Sequence, residues 1–202
     1  LETVTLHEYQ RSVSASVDAL LRKIVGAAGT FTLEITTRGF GRLTFEFTGI
    51  LPAPPANIAD PGTPTYDAVR PAPFINAEAR LGGLPVKFNR FSLDYGGTVQ
   101  QPDDPAALYG YDVAGVTDRA ITGSLNPNLT LLSTRNNLAD FLSGAERSIV
   151  VRWGQTSGNR VSLFIPRARF TGATPADVNG YAVEDVPFKA VGFDDGLFIC
   201  LH

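Results

Sequence analysis

Between Ile24 and Leu51 the chain reads IVGAAGTFTLEITTRGFGRLTFEFTGIL, and the period of two in this stretch leaves little choice of fold. Phe31, Leu33 and Ile35 alternate with Thr32, Glu34 and Thr36, and past Gly39-Phe40-Gly41, Leu43, Phe45 and Phe47 alternate with Thr44, Glu46 and Thr48. Such alternation gives each strand one apolar and one polar face. Pairing the arms about Phe40 sets Leu33 against Phe47, Ile35 against Phe45 and Glu34 against Glu46. Burial of the apolar row is expected to hold that register. Two facing carboxylates lie about 5 Å apart at Cβ and destabilise each other by up to roughly 1 kcal/mol. Either the face is solvated and Arg38 and Arg42 relieve the repulsion, or it is a surface meant to be acidic.

A second hairpin follows the same pattern. Ile149, Val151 and Trp153 answer Val161, Leu163 and Ile165 across Thr156-Ser157-Gly158-Asn159, and the two hairpins overlay with Gly26-Ala27 on Gly144-Ala145 and Arg42 on Arg160. Two similar sheets facing one another are expected. Further strands are expected at 11–17 and 20–25, at 84–95 through Phe91, Leu93 and Tyr95, and at 119–125, closed by Asn126-Pro127. Near the C-terminal end a strand from Pro187 to Val191, a turn at Asp194-Asp195-Gly196 and a strand through Leu197, Ile199 and Leu201 complete the set. One helix is expected, Thr134 to Leu142, with Ser133 as N-cap, a stripe of Leu138, Phe141 and Leu142, and Gly144 at its end. The fold class is mainly β: two packed antiparallel sheets, sandwich- or barrel-like, one flanking α-helix and long loops, in a single domain over residues 1–202.

The long loops fall at 52–74 and 100–117. The first is rich in proline, which removes ladder donors and fixes φ. Unstructured loops beyond about 12 to 15 residues are usually functional or disordered. Its apolar residues favour an arm that orders against a neighbouring subunit, anchored by Ile58, Tyr66, Val69 and Phe74. Asp103-Asp104 in the second loop, and Asp177 with Asn179 and Gly180, read as turns rather than calcium sites.

Composition narrows the function. With 17 basic against 20 acidic residues and a net charge of −3, the chain is no general grip for nucleic acid, although it can still be a passive conduit for one. No apolar run reaches membrane length, and the single Cys200 cannot form an internal disulfide. A chain that starts at Leu1 and holds no Met is expected to have lost N-terminal residues. Histidines stand only at positions 7 and 202, and no phosphate loop, dinucleotide fingerprint or Cys/His metal cluster is present, so neither cofactor nor metal is expected. Retaining glycosidases hold two carboxyls about 5 to 5.5 Å apart. Glu34 and Glu46 fit that spacing but are flanked by threonines rather than aromatic platforms, and an enzyme is not expected. A carbohydrate- or receptor-binding β-sandwich is the alternative outside the structural class.

Four segments carry a resemblance: LLRKIVGAAGTFTLEI (Leu20 to Ile35), VTDRAITGSLNP (Val116 to Pro127), GQTSGNRVSLFIP (Gly154 to Pro166) and VPFKAVGFDDGLFI (Val186 to Ile199). In this order and spacing they resemble the tail tube proteins of long-tailed bacteriophages, from about Leu20 onward. The resemblance implies hexameric rings stacked into a tube, with one sheet of each subunit joining its neighbours around a continuous bore and long loops bridging adjacent rings. It implies as partners further copies of the chain, a tape-measure protein, the genomic DNA, and other tail proteins at the tube ends. Assembly would be in the host cytoplasm and the final location the virion tail, without a membrane. In that setting Glu34, Glu46, Thr32 and Thr44 are expected to line the bore, where carboxylates would repel phosphate. A hub or terminator ring, or a secretion-system tube, is the nearest structural alternative.

Overall fold

The computed structural model describes residues 3–11, 18–59, 61–62, 65–66, 70–192 and 196–202. Its strands are β1 (Val4–Arg11), β2 (Asp18–Thr36), β3 (Arg42–Ile50), β4 (Ala56–Ala59), β5 (Glu78–Leu81), β6 (Leu84–Pro85), β7 (Phe88–Asp94), β8 (Gly97–Gln100), β9 (Gly115–Arg119) and β10 (Thr122–Pro127). Helix α1 (Asn137–Ser143) precedes β11 (Glu146–Trp153), β12 (Val161–Phe170), β13 (Thr174–Val178), β14 (Tyr181–Ala190) and β15 (Phe198–Leu201). One sheet follows the order β1-β2-β7-β10-β14-β12-β11-β5-β6, with β3 and β4 added on β2, β13 on β14 and β15 on β12. A second sheet pairs β8 with β9. Among the described residues the chain is mainly β and antiparallel, with two sheets and one helix, and both hairpins lie in the first sheet rather than in two similar sheets facing one another.

Two compact units divide the chain: Leu1–Thr30 with Phe45–Ala68 and Gly97–Asp118, and Phe31–Thr44 with Val69–Gly96 and Arg119–His202. The second, larger unit holds the core. In register, Ile35 of β2 meets Phe91 of β7, which meets Leu125 of β10, which meets Val186 of β14. On β11 and β12, Ile149 pairs with Ile165, Val151 with Leu163 and Trp153 with Val161, the pairing that the apolar pattern predicts. Leu33 and Trp153 come from strands far apart in the sheet order, yet they line one cavity and belong to one buried cluster. Within the larger unit the strands therefore share one core. Phe74 stacks on Phe88 and meets Trp153 edge-on at 5.9 Å, and its backbone pairs with the first hairpin's turn through Arg38 and Gly39.

The smaller unit is built differently. Its buried hydrophobic residues, among those described, are Ala19, Ala27, Ala28 and Ala114. Here β2 pairs with β1 from Ala19 to Ala27 and with β4 through Ala19 and Ile58, so backbone ladders rather than large side chains hold it together. Gly26, at φ +57, allows the bulge at which β1 shifts register, and its carbonyl accepts from the Ala114 N–H at 3.1 Å.

Several expectations need correction. The first hairpin exists, but a Cβ on Gly29 would meet the Glu46 carbonyl at 2.4 Å, and one on Gly49 would meet Ala27 at 2.7 Å. Glu46 thus lies beside Gly29, and the arms are offset from a pairing centred on Phe40. Nor is the apolar row of β3 buried: Leu43, Phe45 and Phe47 are all exposed. The first strand is Val4–Arg11, and the Ser/Val alternation at 12–17 lies outside the described residues, as do Asp194 and Asp195. The 52–74 loop contains β4.

Helix α1 starts later than expected. Thr134 and Arg135 both donate to the Leu131 carbonyl in a separate turn, and Asn136 is the cap, its Oδ1 accepting from the Ala139 N–H at 2.9 Å. Gly144 ends the helix in a left-handed conformation. Of the expected stripe only Phe141 packs on the core, while Leu138 and Leu142 are exposed.

Candidate assembly surfaces

The outward face of β2, β7, β10 and β14 is a trough of small polar side chains. Alternation sends Thr32 and Glu34 outward because Leu33 and Ile35 are buried. Register then sets Thr32 beside Asp94, Asp94 beside Thr122 and Thr122 beside Lys189, while Glu34, Ser92, Ser124 and Pro187 form the adjacent row. The Ser92 and Ser124 hydroxyls are 2.8 Å apart, and the Asp94 carboxylate accepts from the Gly96 N–H at 2.8 Å. These residues line a depression of about 530 Å³. Its charges are mixed, Glu34 and Asp94 against Lys189, so the trough is polar and less acidic than two glutamates alone suggested.

Thr44 and Glu46 are exposed on β3. Because Glu46 lies beside Gly29, its cross-strand neighbour is not Glu34. The facing carboxylate pair is therefore not formed, and the glycosidase spacing goes with it.

The four loop anchors separate. Ile58 is half-buried opposite Ala19, and Tyr66 is 82% exposed. Val69 lies outside the described residues. Phe74 is 5% exposed, and its ring is committed to its own core, which leaves it unavailable to a neighbour.

Apolar side chains exposed at strand edges were missed in the sequence because alternation was taken to mean burial. Phe45 and Phe47 stack at 6.0 Å on β3, which pairs with β2. At the far end of the chain, β15 pairs with β12 and carries Phe198, Ile199 and Leu201, all exposed. An apolar slot of about 190 Å³ lies between Leu33 and Leu43 on one side and Val161, Leu163, Ile199 and Leu201 on the other, with Trp153 among its lining. A charge cluster was missed as well. Arg80 donates to Glu78 at 2.6 Å and Arg152 at 3.4 Å, and the Arg80 hydrogen bond holds the Glu78 carboxyl below its ordinary value.

An antiparallel sheet with a polar trough, and with apolar side chains exposed on β3 and β15, offers surfaces of the kind through which β proteins associate. The chain belongs to the phage tail tube protein family, whose description, "Phage tail tube protein", matches residues 3–190. It is a structural component of the phage tail. Two solved cryo-EM structures share the fold. The tube-terminating cap of the anti-feeding prophage is 18% identical with a TM-score of 0.51, over 69% of this chain and 97% of that one. The sheath/tube terminator of the extracellular contractile injection system PVC, in the extended state, is 14% identical with a TM-score of 0.51, over 66% of this chain and 99% of that one. Among curated protein sequences none matches significantly.

Proposed function

We propose that this chain, working as one tail-tube domain, forms hexameric rings that stack into a phage tail tube, built around a tape-measure protein in the host cytoplasm and later conducting genomic DNA. The observation that carries the reading is the smaller unit, which among its described residues buries only alanines as hydrophobic residues yet exposes Phe45, Phe47, Tyr66, Leu108, Tyr109 and Tyr111. A β extension with so little core of its own gains its apolar burial from neighbours. Ile58 and Tyr66 belong to the loop that reaches the next subunit, and Thr32, Glu34, Thr44 and Glu46 line the bore. DNA slides there because small polar groups and carboxylates offer few of the cationic contacts that hold phosphate.

Electron microscopy of the purified chain tests this. Tubes with a central channel and six subunits per ring are expected; a monodisperse monomer at high concentration overturns the reading. A second reading, a terminating ring, is favoured by the likeness of both solved structures, which are a tube-terminating cap and a sheath/tube terminator. It predicts single closed rings in place of extended tubes.

A further inference from the structure

Charge is divided unevenly between the two units. The segments of the smaller one hold three basic and ten acidic residues, a formal charge of −7, and those of the larger one fourteen basic and ten acidic, a formal charge of +4. In the smaller unit the acid is concentrated around the loop between β8 and β9: residues 97–118 carry four aspartates and no lysine or arginine. Hydrogen bonds of its own hold that loop. The Asp104 N–H donates to the Gly110 carbonyl at 2.9 Å, the Asp112 N–H to the Pro102 carbonyl at 2.8 Å, and the Asp104 carboxylate accepts from the Ala106 N–H at 2.9 Å. Asp103 and Asp112 are exposed, and among the described residues neither makes an ion pair.

In the larger unit, cations collect at one end of the β2–β7 pair. The Thr37 N–H donates to the Asn89 carbonyl at 2.8 Å and Thr36 pairs with Arg90, which sets the Arg38 turn beside Lys87 and Arg90. Arg42 follows on the far side of the turn. All four are exposed, and among the described residues none of them makes an ion pair, whereas Arg80, Arg147, Arg152 and Arg169 each meet a carboxylate of their own chain. Glu34, two residues before Thr36, offsets part of this charge and leaves the end cationic. Arg38 is also held at φ 68°, where glycine or asparagine is ordinary and arginine is strained. Strain at a residue whose charge has no partner in its own chain points to a group that acts outside it. We propose that the acidic β8–β9 loop of one copy docks on the Arg38, Lys87 and Arg90 end of the next. Loop on loop, or end on end, would set like charges together; only the unlike pairing attracts. That pairing is heterologous, so it repeats from copy to copy. The proposal rests on the tube reading and names the force and the surfaces that bring copies together.

Salt tests the force. In sedimentation of the unmodified chain, the concentration needed for assembly is expected to rise at least about tenfold between about 0.1 and 1 M NaCl, as the screening length falls from about 10 to about 3 Å. Assembly that is unchanged or strengthened by salt overturns this contact and leaves the tube reading standing. A chain that stays monomeric at every salt concentration overturns the tube reading and the contact with it. Charge removal tests the partners. Asp103→Asn with Asp104→Asn and Asp112→Asn keeps the side-chain carbonyls that hold the loop, and Arg38→Gln with Lys87→Gln alters two exposed side chains. At about 0.1 M NaCl each set is expected to weaken assembly at least about fivefold and to flatten its response to salt. Once the loop is neutral the cationic end has nothing to attract, so all five substitutions together should weaken assembly no more than the stronger set alone. Effects that multiply, or either set assembling like the unmodified chain, overturn the proposal.

Discussion

The side-chain carbonyl of Asn126 accepts a hydrogen bond from the Arg90 backbone N–H at 2.8 Å and a second from the Asn89 N–H at 3.3 Å. Both donors belong to β7 at the point where β10 shifts register between Leu125 and Pro127. Proline has no N–H, and the buried amide of Asn126 takes over the pairing that the ladder gives up there. Asn126→Ala strands two partly buried donors and is expected to cost about 1 to 3 kcal/mol. Urea unfolding should show a lower midpoint at unchanged slope. An unchanged midpoint would show that water serves these donors equally well.

Phe74 and Tyr66 lie in one loop of the sequence and have opposite roles. Phe74→Ala opens a cavity between Phe88 and Trp153 and is expected to destabilise the chain by about 3 to 5 kcal/mol. Tyr66→Ala removes a ring that is 82% exposed and should leave stability within about 0.5 kcal/mol while weakening assembly. Thermal unfolding of dilute protein and sedimentation of concentrated protein separate the two effects. A large loss of stability in Tyr66→Ala would place its ring in the core of its own chain.

The two hairpins show what the sequence could reveal. In β11–β12 both arms are covered, with Ile149, Val151, Trp153, Leu163 and Ile165 all buried, so a slipped register would expose apolar side chains on either arm. Alternation alone finds that register. In β2–β3 only Leu33 and Ile35 are covered, and Leu43, Phe45 and Phe47 are not, so burial within the chain does not select the pairing. Gly29 and Gly49 mark where the backbones approach closely, a signal that a reading of apolar positions passes over. Asn179-Gly180, with φ of 55° and 82°, is a hairpin turn joining β13 to β14, and Asp177 caps it by accepting from the Gly180 N–H. The turn expected there is present, whereas β13 and the first half of β14, which flank it, are not among the strands that alternation predicts. Of the trough, alternation locates Thr32 and Glu34, but Asp94, Thr122 and Lys189 join them only through a strand order that no local pattern encodes.

Gly123 lies in mid-strand between Leu93 of β7 and Phe188 of β14. A Cβ there would meet the Ser92 carbonyl at 2.4 Å and the Phe188 ring at 2.5 Å, so the glycine leaves room for the ring that stacks on Phe91. Gly123→Ala must displace backbone or a buried aromatic, and about 1 to 3 kcal/mol of destabilisation is expected. Pairing it with Phe188→Leu should recover part of that loss. A strictly additive double variant would show that the ring is not what excludes the Cβ.

The Arg80 hydrogen bond, with Arg152 nearby, keeps the Glu78 carboxyl below its ordinary value of 4.5 against a smaller opposing effect of burial. A folded-state value below the unfolded one contributes stability above the ordinary carboxylate range and loses it as pH falls through the lowered value. Glu78→Gln should therefore be less stable than the unmodified chain at neutral pH and converge with it in acid. Added salt should narrow the neutral gap, since these groups are solvent-exposed. A gap independent of pH would trace the effect to packing.

The charge of the trough predicts how an assembled tube treats DNA. Glu34 is exposed beside Ser92, with Asp94 and Lys189 the other charged groups of the depression, so its own charge largely decides the sign of the local field. If the trough lines the bore, as proposed, Glu34→Lys replaces a group that repels phosphate with one that binds it, once in each subunit. Each new phosphate contact adds a counterion-release term, so affinity gained at low salt falls steeply between about 50 and 200 mM. Unmodified tubes are expected to retain no DNA across that range, whereas Glu34→Lys tubes should retain it at the low end and release it at the high end. Glu34→Gln, which removes charge without adding any, should behave like the unmodified tube. Equal retention by all three would place Glu34 away from the path that DNA takes.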